Sequence, residues 1–269
     1  MSRLTQPGAT GPIELFSTST DLSLDTLVGS KFSSSDGREF VLVQNAGTAL
    51  ASGVCVQGPA AIANSAGLSP ATTSTTGYSA SYPIVMAIGG KVIQIATGAT
   101  AFLANQFQGG YLVVASGTGL GQTLKIQSNT AASTTSAAVF TLEDAATVAT
   151  DSTSRYTLTL NPYGSRFGTD YTTDGVIISP ASTLTGQIVG VSLYPIPAST
   201  ATVAQFGLIQ TKGPAAVLGS STVALGLDVG LPSSTAGAVL AYAVATGPKI
   251  GTTIVATGSA TYTLVNLKL

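Results

Sequence analysis

Histidine and tryptophan are absent from this 269-residue chain, and cysteine occurs once. Without an imidazole, Ser-His-Asp and Cys-His nucleophilic sites, imidazole acid–base chemistry and His-ligated zinc or iron are all excluded. A lone cysteine, Cys55, excludes an intramolecular disulfide and a thiolate cluster. Its neighbours Val54 and Val56 suggest a strand, where a buried structural thiol is expected and a reactive thiol is the alternative. The missing tryptophan removes a preferred anchor of protein hot spots and weakens any sugar-stacking reading, although nine tyrosines remain.

Charge is also scarce. Lys plus Arg is 10 and Asp plus Glu is 11, a net −1, and charged residues make up 8% of the chain, against roughly 25% in ordinary soluble domains. No basic face is available to displace the counterions of a nucleic acid, so no direct nucleic-acid partner is expected. Hydrophobic residues reach 44%, which argues for a folded chain. Its surface is then built from Ser, Thr, Ala, Gly, Asn and Gln. The length predicts one or two domains able to bury roughly three-quarters of their unfolded surface without staples or metals.

No segment reads as targeting or membrane-spanning. Residues Met1 to Gly8 lack the apolar stretch of a signal peptide. The most apolar stretch, Tyr82 to Phe107, is interrupted by Gly89-Gly90-Lys91, Gln94, Gly98 and Asn105, whereas a bilayer helix needs about 20 mainly apolar residues in succession. The expectation is a protein made in a cytoplasm that stays there or leaves inside an assembly, with no membrane partner.

What is present reads as strand almost throughout. Apolar runs bounded by Gly, Pro, Ser, Thr and Asn occur at 40–43, 91–95, 111–114, 123–127, 156–160, 176–178, 187–193 and 261–265. Several alternate hydroxyl and aliphatic side chains, the pattern of a strand with one wet face. The best helix candidate, Leu142 to Thr150, has room for two turns at most. The fold class is therefore all-β, with β-sandwich or barrel-like modules behind an extended N-terminal arm.

The arm is read from residues 1–30. Pro7 and Pro12 cannot donate to a ladder, and Ile13, Leu15, Phe16, Leu22, Leu24 and Leu27 are apolar anchors with no obvious hairpin partner. They suit an arm lying along another surface; an ordinary edge strand or frayed terminus is the alternative. Residues 31–269 form one β-rich body, or two β-modules divided near 128–138 or 180–202. Stretches 63–81, 128–138, 149–154 and 195–202 are rich in small and hydroxyl residues and read as loops. The scheme strand, Gly-Thr turn, strand occurs at Phe40–Gln57 and again at Tyr111–Gln127, either as duplicated modules or as the same hairpin grammar used twice.

Gly117-Thr118-Gly119-Leu120-Gly121 imitates a phosphate loop, but Gln122 holds the sixth position and a strand-like run follows, so a hairpin turn is expected. The densest acidic cluster is Glu143, Asp144, Asp151, Asp170 and Asp174, with Arg155 and Arg166 among them. A carboxylate-dependent hydrolase or a Ca²⁺ site would draw on these residues, and a salt-bridged loop rim is the plainer reading. No cofactor or metal is expected. Scarcity of Lys, Glu and Asp suits surfaces that become interface cores, where desolvating charge is expensive.

Against this background the chain resembles tailed-bacteriophage virion structural proteins of the head-decoration (cement) group. The likeness lies in Ala104–Val114, Gly117–Ile126, Val139–Asp144 and Leu160–Tyr163, with Phe206–Pro214, Val217–Gly219, Gly29–Phe32 and Asp36–Val43 sharing the pattern. It covers most of the chain as turns and strands, without a catalytic motif. The resemblance implies a non-enzymatic protein on the outer surface of the virion capsid, clamping neighbouring major capsid subunits, often as a homotrimer. It makes the arm the expected capsid contact, through Arg3, Leu4, Ile13, Leu15, Phe16, Leu22, Leu24 and Leu27, so that deleting residues 1–27 should abolish binding and leave the β-fold intact. A tail, fibre or receptor-binding module is the second reading, and the hydrolase the third.

Overall fold

Runs of Val, Ile, Leu and Tyr become strands here because β-branched and aromatic side chains fit a pleated, half-buried surface. The computed structural model describes residues 18–21, 24, 27–164, 171–231, 234–242, 247–256 and 261–269. Among them it contains fifteen strands and no α-helix. The chain divides into two units: one comprises Met1–Ala60, Pro162–Gly164 and Thr169–Leu269, the other Ala61–Asn161 with Ser165–Gly168. The second is thus an insertion in the first. Its two connections leave from neighbouring points, since a Cβ on Gly58 would lie 2.5 Å from the Pro162 carbonyl oxygen.

In chain order the first unit supplies β1 (Lys31–Ser33), β2 (Glu39–Asn45) and β3 (Cys55–Gln57). The second supplies β4 (Val92–Ala96), β5 (Tyr111–Ser116), β6 (Thr123–Asn129), β7 (Ala137–Leu142) and β8 (Arg155–Leu158). The first then resumes with β9 (Ile177–Ile178), β10 (Ile188–Ser192), β11 (Gln205–Leu218), β12 (Asp228–Gly230), β13 (Leu240–Ala241), β14 (Lys249–Thr253) and β15 (Tyr262–Lys268).

The ten strands of the first unit form one antiparallel sheet in the order β13-β12-β14-β15-β11-β10-β3-β9, with β2 joined to β11 and β1 to β2. Its axis is β11, which pairs with β2 through Gln205–Lys212 and with β15 through Lys212–Leu218. At the changeover the register with β2 slips between Gln210 and Lys212, and Gly213 takes φ +85°. Such a bulge bends and twists the strand. One face of β2 packs Val41 and Val43 with Val56, Val176, Ile196 and Ile209. The other packs Phe40 and Leu42 with Phe32, Phe206 and Leu208.

The second unit orders its strands β4-β7-β6-β5-β8, so β8 returns to lie beside β5, a Greek-key arrangement. Both edges are bridged by one segment: Leu68 pairs with Tyr156 on β8, and Pro70 with Ile95 on β4. Ala71 N–H donates to the Gln94 carbonyl and Ala96 N–H to the Ser69 carbonyl, each at 3.0 Å. Residues 65–71 therefore curl the sheet and remove its open edges, which would otherwise invite pairing with other chains. Inside, Phe102 meets Phe107 edge to face at 4.9 Å and Phe140 at 6.4 Å. Tyr156 is fully buried and its hydroxyl lies 3.0 Å from Thr150 Oγ1.

The all-β expectation stands, with three differences. Residues 142–150 make no helix; Leu142 ends β7, and the bent backbone that follows donates from Glu143, Ala146 and Thr150 N–H to the carbonyls of Lys125, Gly90 and Met86 rather than along a helix. Of the two strand-turn-strand copies, Tyr111–Gln127 is a hairpin, β5 with β6, whereas β2 and β3 pair with different strands. Likewise, neither 128–138 nor 180–202 is a module boundary: the first joins β6 to β7 inside the second unit, and the second contains β10 of the first. Their Ser, Thr and Ala residues serve turns within a sheet, which composition cannot tell from linkers.

Candidate functional site

The arm was the expected contact surface. Arg3, Leu4, Ile13, Leu15, Phe16 and Leu22 lie outside the described residues. Leu24 and Leu27 are half-buried against the chain's own cluster of Phe32, Phe40, Leu42, Ala204, Phe206 and Leu208. Ser19 pairs with Phe206 in both directions, N–H to carbonyl, at 3.1 and 2.8 Å. At Ser19, Leu24 and Leu27 the arm therefore docks on its own body. A truncation that spares the fold must stop before Ser19, because losing Leu24 and Leu27 would expose the Phe206 cluster.

The described members of the acidic cluster are divided between the two units. Glu143 pairs with Lys125 at 2.9 Å, and Asp144 accepts the Lys125 N–H at 2.9 Å. Arg155 donates to the carbonyls of Ser152, Thr153 and Ser154. Asp174 belongs to the other unit, while Asp170 and Arg166 lie outside the described residues. No group of three or more Cys, Asp or Glu side chains is gathered for a metal among the described residues. Cys55 is fully buried on β3, and burial pushes its thiol far above the usual range, so it packs as a hydrophobe.

Asp151 has the most perturbed carboxylate. It accepts from the Thr118 hydroxyl at 2.5 Å, the Thr153 hydroxyl at 2.6 Å and the Thr153 N–H at 2.8 Å. These bonds, Thr118 first, hold it down at about 2. Asp36 is lowered by the Arg38 N–H, Glu39 by Lys212 and Asp228 by Lys249. A carboxylate lowered on folding stabilises the fold above its unfolded value, and that contribution is lost as pH falls to the folded one. Unfolding by urea should therefore become easier between about pH 4 and about pH 2, where Asp151 titrates. Asp151→Asn should flatten that fall; an unchanged slope would show that Asp151 is not held low.

The turn at Gly117–Gly121 lies beside this carboxylate. Gly117, Gly119 and Gly121 all have positive φ, of 79°, 83° and 90°, a backbone open to glycine at little cost. It is the hairpin turn expected from the sequence, and it presents Leu120 to solvent. Half-buried Gln122 then fixes the neighbouring loop. Its Oε1 accepts the N–H groups of Thr147 and Val148 at 2.8 and 3.0 Å, and its Nε2 donates to the carbonyls of Gly119 and Val148 at 3.1 and 2.9 Å.

A third segment, residues 82–90, closes the rim. Fully buried Gln94 donates to the carbonyls of Ser79 and Tyr82 at 2.6 and 2.7 Å. Met86 N–H donates to Thr150 Oγ1 at 2.9 Å, Gly89 N–H to the Ala146 carbonyl at 2.8 Å, and Ala146 N–H to the Gly90 carbonyl at 2.9 Å. The three adjoining loops expose large apolar groups: Ile88 by 72%, Leu120 by 67%, Val148 by 48% and Tyr82 by 44%. Residues 82–90, 117–122 and 145–150 contain no Lys, Arg, Asp or Glu; charge begins at Lys91, Asp144 and Asp151.

The first unit has its own exposed apolar corner, Leu225, Leu227, Ile254, Val255 and Tyr242. Thr253 ties it together, donating from its hydroxyl to the carbonyls of Ala224 and Leu227. The ion pair of Lys249 with Asp228, at 2.7 Å, adjoins it through the Tyr242 N–H bond to the Asp228 carbonyl. Sequence reasoning singled out neither surface as a contact. The only signal for the rim was the run Tyr82 to Ile88, too apolar for a solvated loop and not alternating like a strand.

Neither a protein-family model, nor a curated protein, nor a solved structure matches the chain.

Proposed function

We propose that this chain is a capsid decoration protein, a non-enzymatic component bound to the outside of an assembled phage head, where it clamps neighbouring major capsid subunits, as a homotrimer. The observation that carries the reading is the charge-free rim of the second unit, three hydrogen-bonded loops that hold large apolar side chains in water. Rigid loops of this kind lose little entropy on docking, which favours binding over catalysis. The likeness to decoration proteins in Ala104–Val114 and Gly117–Ile126 supports it from a second side, because these stretches contain most of the β5–β6 hairpin and its turn. Glu143, Asp144 and Asp151 of the acidic cluster are engaged in turns and surface pairs, a structural use of charge.

Copy number tests the reading. Peptides of this chain are quantified against the major shell protein in purified particles. A ratio of order one to one, or a simple fraction set by threefold positions, is expected. A few copies per particle would move the protein to the tail or a fibre, and absence from particles would overturn the reading. A chain lacking residues 1–17 separates the arm from the body. Wild-type occupancy of heads by that truncated chain would remove residues 1–17 from the contact.

A further inference from the structure

We infer that the rim carrying Ile88, Leu120 and Val148 is the capsid-facing surface of the chain, and that it takes an uncharged, mainly aliphatic patch offered in repeated copies by an assembled protein shell. This rests on the decoration reading above and names the surface that performs it. Two observations choose the occupant.

The first is charge. The rim holds no Lys, Arg, Asp or Glu within its three segments, and the charged residues Lys91, Asp144 and Asp151 stand at its border. An apolar centre within a polar surround is the anatomy of a protein interface. A nucleic acid or a charged surface would gain nothing from the centre and would lose hydration there.

The second is area. Ile88, Leu120, Val148 and Tyr82 are exposed by 44–72%, an apolar area on the order of 400 Å², similar to the largest patch on a typical monomer. A standard pairwise complex takes about 800 Å² from each partner. The rim is therefore too small to hold a second copy of the chain by itself. Repetition overcomes that shortfall, because small contacts tethered together act through effective concentration. A shell presents its subunits in such an array.

The corner in the first unit is the natural comparison. It exposes Leu225 and Val255 and borders the Lys249–Asp228 ion pair, as the rim borders Lys91, Asp144 and Asp151, so it serves as the control for an exposed apolar surface of the same chain.

The test uses the full chain and heads assembled without it. Ile88→Ser, Leu120→Ser and Val148→Ser are combined in one variant, and Leu225→Ser with Val255→Ser in a control. All five side chains are exposed, so both variants should melt like the wild type. Bound copies per head are counted across a concentration series at low and high salt. The rim variant should bind at least ~10-fold more weakly, a loss of about 1.4 kcal/mol, while the control binds like the wild type. Wild-type affinity should be nearly independent of salt, as an uncharged contact requires. Undiminished binding by the rim variant, or wild-type binding that collapses in high salt, would overturn the inference and leave decoration itself standing. Oligomers formed by the wild type and lost in the rim variant would assign the rim to contacts between copies and overturn it too. Failure of the wild-type chain to bind heads at all would overturn the decoration reading, and this inference with it.

Discussion

Gly110→Ala is expected to cost the second unit at least ~3 kcal/mol of stability, at the upper end of what overpacking a core does. Gly110 donates its N–H to the Phe107 carbonyl and accepts from Ile126 N–H, both at 2.9 Å, where the chain enters β5. A Cβ there would overlap the Thr159 carbonyl oxygen and lie 2.8 Å from the Thr159 carbonyl carbon and 2.9 Å from that of Leu160. These are backbone atoms, so no side chain can rotate aside. The strain must be relieved by parting β5 from the chain beyond β8, where Tyr111 and Thr159 exchange bonds at 2.9 Å. Gly121→Ala is the control. Its Cβ would meet nothing within 4 Å, but its φ is +90°, so it should cost about 1–2 kcal/mol through backbone strain alone. Urea unfolding followed by probes in each unit would measure both. A Gly110→Ala chain as stable as the wild type would refute this packing of β5.

Gln44→Met should work in the opposite direction and stabilise the first unit by about 2 kcal/mol, the cost of an unpartnered buried amide. Gln44 is fully buried, and neither its Nε2 nor its Oε1 has a hydrogen-bond partner among the described residues. It stands on the face of β2 that carries Phe40 and Leu42, opposite Phe206 in the register. Methionine has a similar length and shape, so the exchange removes the amide without opening a cavity. The midpoint of urea unfolding should rise with the slope unchanged. A fall in stability would mean that the amide is satisfied in solution, and then Gln44 would be one of the polar groups that fix the register of β2 on β11.

Strand existence was legible wherever period and boundaries agreed. Residues 40–43, 91–95, 111–114, 123–127, 187–193 and 261–265 fall in β2, β4, β5, β6, β10 and β15 within a few residues. The hairpin at Gly117–Gly121 was legible for a sharper reason, since three glycines in five residues supply the positive φ that a tight turn needs. The longest strand was not. β11 contains Gly213-Pro214, which reads as a break, yet the strand runs through it with a bulge and pairs Pro214 with Asn266. That pairing depends on β15, some fifty residues away in sequence, and local propensity carries no information about it.

The candidate surface divides the same way. The apolar run from Tyr82 to Ile88 was visible, but its meeting with Leu120 and Val148 was not, because Gln122 and Thr150 assemble the rim through bonds spanning 26 and 64 positions. Leu24 and Leu27 show the converse. As residues they suit an arm reaching a partner, and in the fold they cover the chain's own Phe206 cluster.

By itself, then, the sequence determined the chemistry this protein lacks and the material of its fold: no imidazole, one thiol, little charge, and strands set by a period of two. Those properties follow from residue type and spacing, which are local. The tertiary structure alone decided that Ala61–Asn161 is an insertion, that residues 65–71 bridge both edges of its sheet, and that three charge-free loops stand together. These depend on pairings between distant residues, and a sheet chooses its partners by the fit of whole faces, which no single stretch of sequence encodes.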